Sequence, residues 1–237
     1  MITVLVTFRE PVPEGRERLD ESEQHHLRVR RAADGELVGL RDGVGLVGSG
    51  RLVQDGRAWQ VEVETAERHQ APAALTLVVG AGDRERFEWL VEKAAELGVT
   101  AVIPLETERT AGVASRLREA HLEKLRRQAL EAVKQSGAAW APAIEAPRAL
   151  AVLLASPPVG HGWLAEAAGE PPPTELDDTP VTVVVGPEGG LSGSERAALL
   201  AAGYQAVALG PHTLRFETAA VAAAAAVAAA RLRGTHG

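Results

Sequence analysis

Val181-Thr-Val-Val-Val-Gly-Pro-Glu-Gly-Gly-Leu-Ser-Gly-Ser-Glu195 decides how the chain is read. Val181–Val185 is a continuous β-branched run, the mark of a strand buried on both faces. It breaks into Gly186, Gly189 and Gly190, residues that permit positive φ and let bare backbone approach a ligand closely. Ser192 and Glu195 stand at capping-box spacing and predict a helix over 193–202. A buried strand, a glycine loop and a capped helix together make one half of a parallel α/β repeat. In open parallel sheets, ligands bind at the carboxyl ends of the strands. The phosphate-loop pattern needs a Lys followed by Ser or Thr, and the dinucleotide fingerprint needs G-x-G-x-x-G; neither is present.

Downstream, Val207-Ala-Leu-Gly-Pro-His-Thr-Leu-Arg-Phe-Glu-Thr-Ala219 repeats the arrangement. A strand over 205–209 ends in Gly210. A short loop then carries Leu214, Arg215 and Glu217 to a helix over 218–231, with Thr218 as candidate N-cap and Glu217 where a helix N-terminus favours negative charge. Upstream, the alternation continues with strands over 75–79, 99–105 and 162–167. Helices are expected after the capping residue Asp83 (with Phe87, Leu90, Val91 and Ala94 on its apolar face), over 116–135 and over 147–155. Alternating strands and helices predict a parallel sheet covered on both faces. Before residue 70 the pattern is different: short alternating runs at Leu37, Gly45 and Trp59 are separated by Asp34-Gly35, Asp42-Gly43 and Asp55-Gly56. Asp-Gly between such runs is a hairpin signal, so residues 1–70 read as a small all-β module of barrel type and 71–237 as the α/β domain.

Composition narrows the function. The chain has 237 residues, no cysteine, and 25 basic against 32 acidic residues for a net charge of −7. Thiolate metal sites, disulfides and cysteine nucleophiles are excluded, and no His or carboxylate cluster has metal-ligand spacing. The apolar run 219–230 is shorter than the roughly 20 residues needed to cross a bilayer, and the N-terminus carries no basic leader with an apolar core, so a cytoplasmic protein is expected. Overall acidity does not exclude a local nucleic-acid site. Between Arg109 and Lys134 the basic residues Arg109, Arg116, Arg118, Lys124, Arg126, Arg127 and Lys134 outnumber Glu119, Glu123 and Glu131.

The two glycine-bearing loops together resemble the signature of the SPOUT methyltransferases, and within them the family of 16S rRNA (uracil-1498-N3) methyltransferases. Glu92-Lys-Ala-Ala-Glu-Leu-Gly98 with Pro104 and Arg109 is similar to one further family segment. Glu131-Ala-Val-Lys-Gln-Ser-Gly137 with Pro142 is similar to another, and His26-Leu27 with Arg31 and Gly35 to its N-terminal stretch. The chain departs from the pattern at Gly137, Ala138 and Ala139, where the family has an Arg, at His212-Thr213, and at Arg30.

The resemblance implies a SPOUT-type α/β parallel sheet with a C-terminal trefoil knot, preceded by a small PUA-like β-barrel that binds RNA. It implies S-adenosylmethionine as cofactor, held by Gly186, Pro187, Glu188, Gly189, Gly190, Leu209, Gly210 and Leu214. It places Arg215 on the charge developing in the uracil, oriented by Glu217 or Glu188. Contacts to 16S rRNA in the small ribosomal subunit fall to Arg31, Arg109, Arg126, Arg127 and Gln135. A homodimer is implied, and the alanine-rich last helix suits close packing. The competing expectations are a SPOUT enzyme with another RNA target, such as a tRNA 2′-hydroxyl, a non-catalytic RNA-binding assembly protein, and an α/β enzyme using the 186–190 loop for a small nucleotide.

Overall fold

The computed structural model describes residues 2–7, 15–80, 82–110 and 119–234. The chain divides into two compact units, Met1–Ala71 with Leu130–Ala141, and Pro72–Ala129 with Pro142–Gly237.

The first unit contains β1 (Ile2–Leu5), β2 (Arg16–Arg18), α1 (Glu21–Arg30), β3 (Leu37–Arg41), β4 (Leu46–Asp55) and β5 (Ala58–Arg68). The sheet order is β1-β3-β4-β5-β2, antiparallel except between β1 and β3. Asp55 pairs with Ala58 across the hairpin, and Gly56 takes the positive φ of 61° that this two-residue turn demands. Alternate residues of the strands, among them Val4, Val38, Leu40, Leu52 and Val61, bury one face around Leu27 of α1.

That helix corrects the expectation of an all-β module. Its sequence buries only Glu23, Gln24 and Leu27, so no apolar stripe announces it. The legible signal was at its start, where the Asp20 carboxylate accepts from the Glu23 amide at 2.8 Å. The Gln24 side chain then acts as a piece of strand. Its Nε2 donates to the Trp59 carbonyl at 2.6 Å and to the Leu19 carbonyl at 3.2 Å, while its Oε1 accepts from the Trp59 amide at 2.6 Å.

The second unit is built on one parallel sheet. Its strands are β6 (Leu75–Gly80), β7 (Ala101–Glu106), β8 (Ala143–Ile144), β9 (Arg148–Ala149), β10 (His161–Glu170), β11 (Val181–Val185) and β12 (Gln205–Val207). The order is β12-β10-β11-β6-β7-β8, with β9 also on β7. The helices are α2 (Arg84–Glu96), α3 (Glu119–Ser136), α4 (Leu150–Leu153), α5 (Gly193–Ala201) and α6 (Phe216–Gly234). From Leu130 onward, α3 belongs to the first unit. Val78, Ile103, Leu164 and Val184 share a core with Leu150 of α4 and Leu199 of α5. Strand side chains alternate between faces, and α6 packs on α2, β6, β10 and β11. The sheet is thus covered on both sides, as expected.

Several boundaries differ from expectation; β12, for one, ends at Val207 and not at 209. The helix expected over 147–155 is shortened to the single turn of α4, because Arg148–Ala149 pairs with Leu105–Glu106 as β9. The segment 111–118, with Arg116, Arg118 and the expected start of α3, lies outside the described residues. The last helix begins at Phe216, not after Thr218: the Ala219 amide already donates to the Arg215 carbonyl at 2.8 Å, so Arg215 stands at the cap position and Thr218 is inside the first turn. The alanines of α6 have a use within the chain. Ala219, Ala220, Ala223, Ala224 and Ala230 are buried against the unit's own core.

Gln24→Ala strips the Trp59 amide of its partner and leaves the Trp59 carbonyl with the Leu19 amide alone. A buried unpaired group costs roughly 1–3 kcal/mol, so the variant should lose about that much. Urea denaturation of the full chain, followed by tryptophan fluorescence, measures this; an unshifted midpoint would show that water replaces the amide without cost.

Candidate functional site

The loop after β11 is held from several directions. The capping box is complete: the Ser192 hydroxyl accepts from the Glu195 amide at 3.2 Å, and Glu195 Oε2 accepts from the Ser192 amide at 2.8 Å. The buried Glu195 carboxylate does more than cap α5. Its Oε1 accepts from the Glu108 amide at 2.7 Å, which fastens the segment after β7 to the start of α5. Within the loop, the Gly190 amide donates to the Pro187 carbonyl at 2.7 Å, and Gly190 takes a φ of 69°. The positive φ expected of this loop therefore falls on Gly190. Gly80, at the end of β6, lies so close that a Cβ there would collide with the Pro187 nitrogen.

Arg109 and Glu188 also serve the loop's framework. The Arg109 guanidinium donates to the Gly189 carbonyl, and its aliphatic stem covers the place where a Gly189 side chain would stand. Glu188 Oε1 accepts from the Asp83 amide at 3.2 Å, beside the start of α2. Both residues are exposed, yet their polar groups face backbone of this unit.

The loop after β12 meets this framework. A cleft of about 500 Å³ is lined by Gly186, Pro187, Glu188 and Gly190 from the first loop and by Leu214 and Arg215 from the second. A smaller recess of about 100 Å³ adjoins it, lined by Leu209, Gly210 and Leu214. The residues expected to hold a cofactor thus converge, except that Gly189 lies against Arg109 rather than in the cleft wall. Arg215 is exposed at the mouth, and its side chain has no hydrogen bond or ion pair among the described residues. Glu217 is elsewhere. It is 7% exposed, stands 3.8 Å from Arg86, and borders a separate hollow with Asp83 and Trp89, so among the described residues it makes no contact that would orient Arg215.

The expected RNA contacts fare unequally. Arg126 is engaged by Glu119 at 2.6 Å, by Glu123 and by the Ile144 carbonyl, and these carboxylates raise its pKa further above its ordinary value. Arg127 is exposed with no ion pair among the described residues; Arg31 and Gln135 are exposed too. Arg31 adopts a left-handed φ of 58° as the C-cap of α1.

One pair is not foreseen from the sequence. Glu166, from β10, meets Arg196, from the first turns of α5, at 2.5 Å in the wall of the cleft. Acidity at a strand's carboxyl end was the available signal, but it gained significance only once β10 and α5 were known to face one cavity.

A family model described as RNA methyltransferase domain matches residues 69–228. The ribosomal RNA small subunit methyltransferase E of Aquifex aeolicus is 34% identical over 86% of this chain and 90% of its own length. That of Synechocystis sp. is 31% identical over 94% of this chain and 76% of its own. Among solved structures, the Neisseria gonorrhoeae ribosomal RNA small subunit methyltransferase E bound to S-adenosyl methionine superposes with a TM-score of 0.83 at 27% identity, covering 95% of this chain and 96% of that one. A probable rRNA-methyltransferase from Porphyromonas gingivalis gives 0.80 at 30% identity, covering 94% and 95%. With the two loops meeting on one cleft at the carboxyl edge of a parallel sheet, the chain belongs to the RNA methyltransferase family that contains the ribosomal RNA small subunit methyltransferases E.

Proposed function

We propose that this chain transfers the methyl group of S-adenosylmethionine to N3 of one uridine of small-subunit rRNA, the uridine numbered 1498 in 16S rRNA. The observation that carries the reading is the meeting of the 186–191 and 209–215 loops on one cleft, with a guanidinium at its mouth that is unpaired among the described residues. The cleft's size suits a nucleoside-derived ligand, since small-molecule sites run roughly 300–1,000 Å³. Its walls offer backbone at Gly186 and Gly190 and an apolar recess at Leu209 and Leu214. Glu166 Oε2 is buried without a hydrogen-bond partner among the described residues, so the donor set and the space both fit the cofactor. Bound there, S-adenosylmethionine supplies an electrophilic methyl on a cationic sulfonium.

The chain's residues supply alignment and charge placement. N3 has to give up its proton to solvent water to accept the methyl, and as the proton leaves, negative charge grows on the flanking uracil carbonyl oxygens. Arg215 holds its guanidinium where a base presented at the mouth would place those oxygens, and a planar two-donor group stabilises them as charge appears. The base has to be exposed from its stack to reach the cleft. Arg31, Arg127 and Gln135 contact the rRNA in this reading, whereas Arg109 and Arg126 act on the protein itself. Two copies of the chain form the working unit, in the cytoplasm where the small subunit is assembled.

The test is in vitro methylation of small subunits from a strain lacking this enzyme, with the nucleosides identified by mass spectrometry. The expected product is 3-methyluridine; a 2′-O-methylated nucleoside would transfer the site to another SPOUT reaction, and no product would favour the binding-protein reading.

Arg215→Ala should lower the single-turnover rate on the order of 10²–10³-fold with cofactor affinity little changed. Arg215→Lys should recover little, because an ammonium cannot reproduce the fork. A near-normal rate for a folded Arg215→Ala protein would remove the assignment.

Gly190→Val places a β-branched residue at a φ of 69° in the cleft wall. Calorimetry should find S-adenosylmethionine binding abolished, and retained affinity would separate the loop from the cofactor.

Arg127→Glu should reduce the log–log salt slope of rRNA binding by about 0.7–0.9 for each phosphate no longer neutralised. Arg126→Glu should instead act on stability, since its partners are within the chain. Equal slope changes in the two variants would contradict this division.

A further inference from the structure

The Glu166–Arg196 pair is a feature of the cleft that methyl transfer and RNA binding leave unused. β10 pairs with β12 through Ala165, opposite Val207, and resumes only at Glu170, again opposite Val207. Residues 166–169 are therefore looped out of the ladder, and Glu166 opens that bulge. Its side chain borders the main cleft and the smaller recess alike. Oε1 receives the Arg196 Nε at 2.5 Å. Oε2 is buried and has no hydrogen-bond partner among the described residues. A carboxylate oxygen withdrawn from water without a donor is costly; the Glu166 side chain as a whole is 26% exposed, so a small turn of its carboxylate presents that oxygen to a ligand hydroxyl and removes the cost. The other carboxylate in the cleft wall, Glu188, is already bonded to the Asp83 amide.

We propose that the Glu166 carboxylate accepts a hydrogen bond from the ribose hydroxyls of the adenosyl ligand and is the positioning residue that fixes the sugar; this rests on S-adenosylmethionine being the ligand of the cleft. Two arguments select the ribose over the ligand's other donors. Glu166 stands where the two compartments join. The apolar recess at Leu209, Gly210 and Leu214 suits the flat base and the larger cleft suits the methionine half, so the joint faces the sugar between them. Arg196 also neutralises Glu166 and would repel an ammonium group, whereas a neutral diol meets no such penalty. An acidic side chain beyond the paired part of a strand, as Glu166 is beyond Leu164 on the β11 side, is a recurrent acceptor of ribose hydroxyls in α/β nucleotide sites.

The test is calorimetry on the full chain with S-adenosylhomocysteine, with 5′-methylthioadenosine, which lacks the amino-acid carbons and the ammonium, and with 2′,3′-dideoxy-5′-methylthioadenosine, which lacks both hydroxyls. A hydrogen bond to a charged group corresponds to about 10–100-fold in affinity. Glu166→Ala should weaken the first two ligands by this factor, equally, and leave the dideoxy ligand unchanged. The ligand-free melting temperature should not fall, because the variant removes an unpaired buried oxygen and Arg196 is 46% exposed. A loss confined to S-adenosylhomocysteine would assign the carboxylate to the ammonium and overturn the proposal. So would an equal loss for all three ligands with a lowered melting temperature, which marks a structural role. Wild-type protein silent towards every ligand would sink the cofactor reading and this inference together; wild-type binding with an unaltered variant would sink the inference alone.

Discussion

The Glu195 carboxylate accepts from two backbone amides, Ser192 at the start of α5 and Glu108 after β7. Those amides belong to segments far apart in sequence, and each would be expensive to bury unpaired. Because one buried side chain serves both, the glycine loop cannot drift from the strand end beside it. Arg109, from the same segment as Glu108, then reaches the Gly189 carbonyl, and Pro187 sits directly on Gly80. The cleft is a consequence of this tethering. Its walls are backbone, and backbone makes a definite cavity only when something outside the loop holds it.

The end of the second loop is fixed by helix α6. Arg215 is the cap residue of that helix, so its backbone is fixed by the first helical hydrogen bond while its side chain stays free at the cleft mouth. A cap position suits this role, because its carbonyl is committed to the helix while its side chain lies outside the helical packing. Glu217, two residues on, has already turned to the other side and meets Arg86.

Much of this is legible in the sequence. Val181–Val185 is strand from end to end, and the Ser192–Glu195 box starts α5 where its spacing said it would. Asp83 caps α2, and that helix buries Phe87, Leu90, Val91 and Ala94 as the periodicity required. Such features are local: a few neighbouring residues carry both the signal and the cause. What could not be read is long-range. Helix α1 is polar on nearly every side, and Leu27 is buried only because strands from elsewhere converge on it. Leu130–Ala141 groups with the N-terminal residues, a matter of tertiary contact that no position in the chain announces. Arg109 and Arg126 look the same in sequence as Arg127, but the first two are spent on a carbonyl and on carboxylates. A count of positive residues therefore overstates the charge available to an RNA.

The alanine face of α6 sets the tolerance of the whole assembly. Side chains this small let the helix axis lie close to β6 and β11, and an alanine has no alternative rotamer through which to absorb an intruding methyl group. At the far end, Arg231 grips the carbonyls of Ala73, Ala74 and Thr179 at 2.8, 2.9 and 3.1 Å, so the helix has little freedom to slide. A bulkier residue at Ala223 or Ala224 would therefore be relieved by lifting or tilting the rod, and the displacement would emerge at its opposite end, where Arg215 stands. Helix α6 works as a lever arm, and wear along its underside is registered as misaim at the tip.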